Sequence, residues 1–237
     1  MAAPADPVSA AIGAAKTADA AGGSNLEPWL CYDDLRQWLE EARKLGEVKA
    51  LSGLTWQQDI GMVASTAAHG DGAPCFVFEE VPGTIKGSRV LVNFFGGKRK
   101  NMTLGFATDL SKIDLSEGFR TNFIGPMKRI APKYVDDGPI FENVVTGDDV
   151  DVTAFPAPKW HAADGGRYIG TGSFNVTRDP DEGWINCGTY RVMIHDARTA
   201  GFYISPGKHG RQMRDKYKAR GERMPVAVIC GGDPLTS

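Results

Sequence analysis

The densest concentration of residues able to do chemistry lies in two short segments of the C-terminal half. The first is Asn186-Cys187-Gly188-Thr189-Tyr190-Arg191, and the second is Ser205-Pro206-Gly207-Lys208-His209-Gly210-Arg211. The second segment has the composition of a turn that leads into a helix. Backbone N–H groups at a helix start, with Lys208 and Arg211 close by, would bind an anion such as a phosphate. An ordinary turn before a solvated basic helix has the same composition.

A metal site is one hypothesis for the same two segments. His209 offers a ring nitrogen and Asn186 an amide oxygen, and this donor pair with a phosphate oxygen suits Mn²⁺ better than structural zinc. The four cysteines, Cys31, Cys75, Cys187 and Cys230, show no CxxC or other short zinc-ligand spacing. From spacing alone, the metal site is a weak prediction.

Arg191 stands inside a strand pattern, where a buried guanidinium is costly unless an anion pairs with it. It could be the fork that binds a substrate carboxylate, or it could point to solvent or bond an acidic neighbour. Asn186 and Arg191 are five positions apart, so a regular strand would place them on opposite faces. A shared site needs a bulge, for which Gly188 is the candidate, or a cofactor that wraps the strand end.

The other histidines, His69, His161 and His195, are expected to be surface or capping residues. No pair of histidines has HxxH or HExxH spacing, and no GxxxxGK[ST] or GxGxxG sequence occurs. Gly170-Thr171-Gly172 lacks the third glycine of a dinucleotide fingerprint. These absences weigh against a zinc protease, a P-loop nucleotide-binding protein and a nicotinamide-dependent enzyme.

The first half of the chain predicts a small mixed α/β unit. Asp33 or Asp34 caps a helix with an apolar stripe that ends at Gly46. A second helix is expected over 56–68, followed by strands at 76–78 and 90–94. Residues 100–130 are expected to be mostly helical, with breaks at Gly118 and Pro126. Residues 1–28 read as a disordered tail that ends in glycines, and residues 29–130 as the N-terminal domain.

Strand patterns dominate the second half, residues 131–237. Two long β runs are expected over 168–177 and 184–195, followed by a short strand at 201–205. A basic amphipathic helix over 208–220 and a buried strand over 224–230 complete the pattern. Several antiparallel strands and one helix favour a small barrel.

Composition narrows the class of protein. The 237 residues carry 27 basic and 29 acidic side chains, a formal charge of −2. This balance argues against a nucleic-acid-binding protein that relies on a strong basic field. No window holds the roughly 18 consecutive apolar residues that a membrane span needs. The widely spaced cysteines favour reduced thiols in a cytoplasmic protein.

Taken in order, these segments resemble the UbiD family of prenylated-FMN-dependent decarboxylases. The resemblance begins at Asp34-Leu35-Arg36-Gln37-Trp38-Leu39 and continues through Leu91-Val92-Asn93-Phe94-Phe95-Gly96. In the second half it is carried by Pro156, Trp160, Asp164-Gly165-Gly166, Tyr168-Ile169, Thr177-Arg178-Asp179-Pro180, Asn186 to Arg191, Gly207-Lys208-His209, Met224-Pro225-Val226 and Gly232-Asp233-Pro234.

The resemblance implies an α+β protein, in which a small α/β domain precedes a split β-barrel that binds flavin. It implies a reversible, non-oxidative carboxy-lyase that decarboxylates an aromatic or α,β-unsaturated acid on prenylated FMN. Manganese is the implied ion, with K⁺ as a further candidate, and Asn186 and His209 are its implied ligands. Arg191 is the implied catalytic residue. The implied cofactor-binding residues are Asn186, Thr189, Tyr190, Arg191, Lys208 and His209. A homo-oligomer is also implied.

The chain departs from the family in length, since family members are roughly twice as long. The family's catalytic glutamates and its glutamate metal ligand lie beyond Ser237, and Glu182 and Glu222 do not stand in that motif. The expectation is therefore an N-terminal portion of such an enzyme, inactive by itself. The alternatives are a non-catalytic flavin-binding subunit or half of a split enzyme, and a flavin reductase on a similar barrel.

Overall fold

The computed structural model describes residues 28–70, 72–124 and 130–236. The predicted disordered tail, except for its last residue, lies outside this range, and so does the break predicted at Pro126. Within the range the protein is a mixed α/β structure with three separate three-stranded sheets. The mixed α/β class predicted from the sequence is confirmed.

The first helix, α1 (Leu35–Lys44), begins and ends where the sequence predicts. The Asp34 side chain accepts a hydrogen bond from the backbone N–H of Gln37 and so caps the first turn. After the helix, Gly46 adopts a φ of +71°, which a residue with a side chain rarely adopts. One face of α1 buries Trp38, Leu39 and Ala42.

The N-terminal sheet comprises β1 (Val48–Ser52), β2 (Cys75–Glu79) and β3 (Val90–Val92), in that order. Strand β2 pairs parallel with β1 and antiparallel with β3. Its side chains alternate between two cores, because Cys75 and Val77 pack with helix α1 whereas Phe76 and Phe78 pack with Ile60. Ile60 belongs to helix α2 (Asp59–Ala68). The central strand is therefore covered on both faces.

Two details of this half differ from the prediction. Strand β3 stops at Val92 because Asn93 turns to a φ of +59°, and its side-chain amide donates to the carbonyls of Ala73 and Pro74. Helix α3 (Gly97–Thr103) follows, then helix α4 (Lys112–Phe119), which continues into a π-helical turn (Arg120–Ile124). Gly118 lies inside α4, so the break predicted there is wrong. A Cβ atom at Gly118 would lie 2.9 Å from the Phe106 ring, which explains the glycine by packing.

The second half forms two sheets instead of two long β runs. One sheet contains β4 (Arg167–Gly170), β7 (Arg191–Ile194) and β8 (Ala200–Tyr203) in the order β4-β7-β8. The other contains β5 (Phe174–Arg178), β6 (Ile185–Gly188) and β9 (Val226–Ile229) in the order β6-β5-β9. Each predicted run is thus two strands that join different sheets, with the crossings at residues 171–173 and 189–190. The split barrel stays a prediction.

The strand expected to be buried over 224–230 is exposed. Strand β9 pairs only with β5, at the edge of its sheet, and all four of its residues are exposed. Apolar composition had suggested burial, but an edge strand is buried only if another element covers it. The basic helix is confirmed as α5 (His209–Ala219).

The two halves pack directly against each other. The N–H of Lys159 donates to the Trp56 carbonyl at 2.9 Å, and the N–H of Ile85 donates to the Ala154 carbonyl at 2.8 Å. The Arg167 guanidinium lies 4.0 Å from the centre of the Trp56 ring, a distance suited to a cation–π contact. The predicted boundary near residue 130 therefore separates segments that share an interface.

All four cysteines are free thiols. Burial raises the pKa of the Cys75 thiol to about 11, whereas Cys187 is exposed. None of the helices in the described ranges has the length and apolar character needed to cross a membrane.

Candidate functional site

The start of helix α5 is held by the hydroxyl group of Tyr190. Lys208 occupies the N-cap position, but its side chain makes no capping hydrogen bond. Instead, the N–H of Gly210 in the first turn donates to the Tyr190 hydroxyl at 3.2 Å. A residue from the crossing between β6 and β7 therefore supplies the acceptor that an N-cap side chain would supply.

The same hydroxyl also contacts Asn186, one of the predicted metal ligands. The Asn186 Nδ2 atom donates to the Tyr190 hydroxyl at 3.1 Å and to Thr177 Oγ1 at 3.0 Å. The Thr177 hydroxyl in turn donates to Met213 Sδ at 3.2 Å. Asn186 is 6% exposed, so this buried amide is fixed by both of its N–H groups.

Two glycines leave the space that the Tyr190 ring occupies. A Cβ atom at Gly188 would lie 2.8 Å from ring atoms of Tyr190, and one at Gly210 would lie 2.9 Å from its hydroxyl. Phe202 packs edge-on against the ring at a centroid distance of 5.5 Å. The glycines of both sequence segments thus have a physical role, which is to receive one tyrosine.

The remaining residues of the helix start are available to a ligand. Lys208 and His209 are exposed, and the His209 ring contacts the Trp184 ring edge-on at 5.3 Å. The first turn of α5 contains no acidic residue. Its N-terminal backbone dipole and Lys208 therefore favour an anion at this end.

Helix α5 is anchored at its other side by Asp179. This carboxylate accepts a hydrogen bond from Lys216 Nζ at 2.7 Å and bonds from the N–H groups of Asp181 and Glu182. The bond from Lys216, followed by that from the Glu182 N–H, lowers the pKa of Asp179. The turn between β5 and β6 and the helix are therefore tied together.

Arg191 lines a second feature, a cleft of about 330 Å³ between the two halves of the chain. One wall is helix α2, which presents only small residues: Gly61, Ala64, Ser65 and Ala68. The other wall contains aromatic and polar residues: Trp160, His161, Asp164, Tyr168, Thr171 and Arg191. The Arg191 guanidinium lies 5.7 Å from the centre of the Tyr168 ring. It is exposed and forms no ion pair with any carboxylate in the described ranges, and Asp164 is the one acidic residue that lines the same cleft.

The relation between Asn186 and Arg191 differs from the bulge hypothesis, whereas a cofactor that wraps the strand end stays a prediction. Strand β6 pairs with β5 in regular register through Gly188, so no bulge lies there. Instead, the chain passes from one sheet to the other between Gly188 and Arg191. Asn186 points into the buried cluster beneath helix α5, and Arg191 lies on the exposed side of the cleft. Thr189 is exposed at the crossing between them.

Several residues of the site were not identified as site candidates by spacing. Thr177 holds Asn186, and Trp160, Asp164, Tyr168 and Thr171 line the cleft with Arg191. Asp164 accepts a hydrogen bond from the His161 N–H at 2.9 Å, which shapes the loop at the cleft rim. The aromatic and acidic residues around the start of strand β4 were the available sign of a site in the sequence. The opposite wall of the cleft, helix α2, lies about a hundred positions earlier, so the sequence did not connect the two.

The two residues predicted to bind a metal ion, Asn186 and His209, offer donor atoms of different types. No group of three or more His, Cys, Asp or Glu side chains comes together within the described ranges. Asn186 Oδ1 accepts no hydrogen bond from any residue in those ranges, and it is not one of the fully enclosed atoms that lack a partner, unlike Asn175 Oδ1. An amide oxygen in this position near the start of helix α5 fits a hard divalent ion that completes its shell with other oxygen donors.

Comparison with known proteins points to one family. Residues 133–237 match the family model described as UbiD, 3-octaprenyl-4-hydroxybenzoate carboxy-lyase Rift-related domain. The pyrrole-2-carboxylic acid decarboxylase of Pseudomonas aeruginosa is 29% identical over 209 residues, which cover 85% of this chain and 42% of that protein. A phenolic acid decarboxylase of Streptomyces sp. is 27% identical over 214 residues, or 87% and 44% of the two chains.

Solved structures agree with this comparison. The vanillic acid decarboxylase of Sedimentibacter hydroxybenzoicus in its closed form superposes with a TM-score of 0.78 at 25% identity, over 88% of this chain and 44% of that one. An evolved dimeric form of the UbiD-class enzyme HmfF from Pelotomaculum thermopropionicum, in complex with prFMN, has the same fold with a TM-score of 0.71 at 22% identity, over 86% and 45%. The chain spans less than half the length of each of these four proteins.

Proposed function

The chain belongs to the UbiD family, and from this premise we propose that it forms the flavin-holding part of a decarboxylase of aromatic carboxylic acids. Prenylated FMN is the proposed cofactor and Mn²⁺ the proposed ion. The single observation that carries the proposal is that Arg191 lines a cleft and directly follows Tyr190, whose hydroxyl holds the start of helix α5.

The start of helix α5 is the proposed seat of the cofactor phosphate. Its first-turn N–H groups and Lys208 attract a phosphate, and no acidic side chain in that turn opposes it. Asn186 and His209 flank this point through the Tyr190 hydroxyl and would hold the divalent ion against the phosphate. Thr189 and Arg191 follow on the chain and would line the flavin together with Tyr190.

The cleft is the proposed substrate site. A volume of about 330 Å³ accommodates a single aromatic ring with its carboxylate, at the lower end of the size range of ligand pockets. Trp160 and Tyr168 offer apolar faces to a ring, and the Arg191 guanidinium offers a fork to a carboxylate. The buried Trp160 indole N–H has no acceptor in the described ranges, and a ligand oxygen would satisfy it.

The residues of the chain would orient the acid and hold its charge. When bound, the prenylated flavin supplies the reactive centre that accepts the electron pair left as CO₂ departs. Arg191 would bind and orient the carboxylate before it leaves, as a catalytic residue in contact with the substrate. A carboxyl group must then protonate the product. Asp164 is the one carboxyl group among the lining residues, and it accepts the His161 N–H at the cleft rim. We propose that the proton donor is a glutamate from outside these lining residues.

The proposal is tested on the gene product that contains this chain, supplied with prenylated FMN and Mn²⁺. Release of CO₂ from pyrrole-2-carboxylate, vanillate and related single-ring acids is expected. Arg191→Ala should lower the turnover rate by about a hundredfold or more, the effect expected from the loss of a group that orients the reacting acid. The variant should still bind flavin, as its absorbance would show. Arg223→Ala, an exposed arginine outside the cleft, is the control and should leave turnover unchanged.

The outcomes separate the alternatives. Full turnover in Arg191→Ala would contradict the catalytic assignment. Flavin retention without turnover on any of these acids would favour the non-catalytic flavin-binding subunit. For the 237-residue chain alone, we expect flavin binding with little or no CO₂ release, and robust turnover would overturn that expectation.

A further inference from the structure

The Asn186 side chain has only one free polar atom, its amide oxygen. Both hydrogens of Nδ2 are engaged, one by Thr177 Oγ1 and one by the Tyr190 hydroxyl. Thr177 commits its own hydrogen to Met213 Sδ, so its oxygen faces Asn186 as an acceptor. A flipped amide would therefore place oxygen against oxygen at Thr177 unless the bond to Met213 broke. The network, not the amide itself, decides which atom faces outward.

The Tyr190 hydroxyl connects the two segments that carry the proposed metal ligands. It accepts from Asn186 on strand β6 and from the N–H of Gly210, the residue after His209 on helix α5. The ring cannot shift easily, because it is 8% exposed, packs against Phe202 and fills the space left by Gly188 and Gly210. A change at this hydroxyl would therefore affect both segments at once.

We propose that Tyr190 is a positioning residue, which turns the Asn186 amide oxygen toward the divalent ion and holds the first turn of helix α5 beside it. This inference rests on the proposed function only in taking Asn186 and His209 as the ligands of that ion. Tyr190 touches neither the ion nor the substrate in this role. It acts through the orientation of Asn186, as hydrogen-bond partners of metal ligands commonly do.

The first test is a titration with Mn²⁺, in the presence of FMN, of the gene product that contains this chain, followed by electron paramagnetic resonance of the free ion. Tyr190→Phe keeps the ring and removes only the hydroxyl. We expect it to weaken Mn²⁺ binding by ~10-fold to 100-fold, the usual effect of losing such a partner. Tyr203→Phe is the matched control, because Tyr203 is 66% exposed on strand β8 and should leave binding unchanged.

A second substitution, combined with Tyr190→Phe, separates a lost orientation of Asn186 from a general loss of structure. In Asn186→Ala, the oxygen that Tyr190 is proposed to orient is absent. The penalty of Tyr190→Phe should then shrink to near unity in this background. If the penalty were the same in both backgrounds, Tyr190 would be merely structural and the proposal would be overturned.

The remaining outcomes are also decisive. Unchanged Mn²⁺ affinity in folded Tyr190→Phe, with the fold checked by circular dichroism, would overturn the positioning role and leave the proposed function standing. Absence of Mn²⁺ binding by this gene product without substitutions would overturn the ligand assignment and the positioning role together. If Tyr190→Phe did not fold, Thr177→Val provides the same test from the other side of the amide, with the same expected loss.

Discussion

Tyr190 and Asp179 hold helix α5 at different points. The Tyr190 hydroxyl accepts two hydrogen bonds, whereas Asp179 accepts one from Lys216 on Oδ2 and two from its own turn on Oδ1. Tyr190 acts at the first turn and Asp179 at Lys216, near the last turn. Both are buried, at 8% and 3% exposure. Loss of either acceptor would leave donors without a partner, which costs more than the net value of the bond. The position of the helix that carries His209 therefore depends on the side chains of Tyr190 and Asp179.

The pH dependence of stability should report Asp179. Its pKa is lowered in the folded state by the Lys216 hydrogen bond, followed by the Glu182 N–H. A lowered pKa stabilises the fold above the unfolded pKa of about 3.9, and this stability is lost as pH falls through the folded-state pKa. Asp179→Asn should therefore lower the thermal unfolding midpoint clearly at pH 7 and by less at pH 2.

The control for this prediction is Glu182→Gln in the same turn. Glu182 is exposed, so we expect a change of at most about 0.5 kcal/mol in the free energy of unfolding at either pH. Calorimetry or circular dichroism at both pH values gives the comparison. An Asp179→Asn effect that is equal at pH 7 and pH 2 would show that charge is not the cause.

At the scale of elements, the position of helix α2 depends on Gly61, which has no side chain. A Cβ atom at Gly61 would lie 2.3 Å from the Trp160 carbonyl oxygen and 2.7 Å from that of Lys159. Both obstacles are backbone atoms, which cannot move aside by a rotamer change. The helix therefore touches the loop that carries the aromatic wall of the cleft, and the glycine sets the width between them.

Gly61→Ala should destabilise the protein by about 1–3 kcal/mol, the usual cost of overpacking. Gly70→Ala is the control, because it follows the same helix and its added Cβ would meet only one atom, at 3.7 Å. Urea unfolding followed by tryptophan fluorescence measures both variants. If the two variants had the same free energy of unfolding, the loop at Trp160 would move aside at little cost and the prediction would be wrong.

At the scale of the whole molecule, the cleft exists only because the two halves pack together. Helix α2 comes from the first half, and Trp160, Tyr168 and Arg191 come from the second. The backbone bonds from Lys159 to Trp56 and from Ile85 to Ala154 fix this arrangement. If the cleft is the substrate site, as proposed, substrate size should therefore be set by helix α2.

Ala64→Phe should fill the cleft without disturbing the start of helix α5. We expect the affinity for vanillate to fall by about tenfold or more, or about 1.4 kcal/mol, and Mn²⁺ binding to stay unchanged. Met62→Phe is the matched control on the same helix, because Met62 is 61% exposed outside the cleft. Calorimetric titration of each variant decides the matter. Equal vanillate affinity in the two variants would place the acid elsewhere.

Local features of the fold were predictable because local interactions fix them. Asp34 caps α1, Gly46 ends it, and helix α5 occupies almost the range that its pattern indicates. Gly118 misled the prediction, since it serves packing against Phe106 and not a helix break. The exposure of β9 was also not predictable, because an apolar strand pattern does not say whether anything covers it.

The sequence by itself determined which residue types are present: an arginine able to pair with a carboxylate, an Asn–His pair, and a basic helix start between glycines. Their order along the chain also supported the family. Only the tertiary structure decided that Asn186 and Arg191 lie on different sheets, that one tyrosine hydroxyl joins Asn186 to the turn of His209, and that helix α2 faces Arg191. The physical reason is distance along the chain. Capping and periodicity act within a few residues, whereas strand partners and cleft walls are selected by packing between segments far apart in sequence.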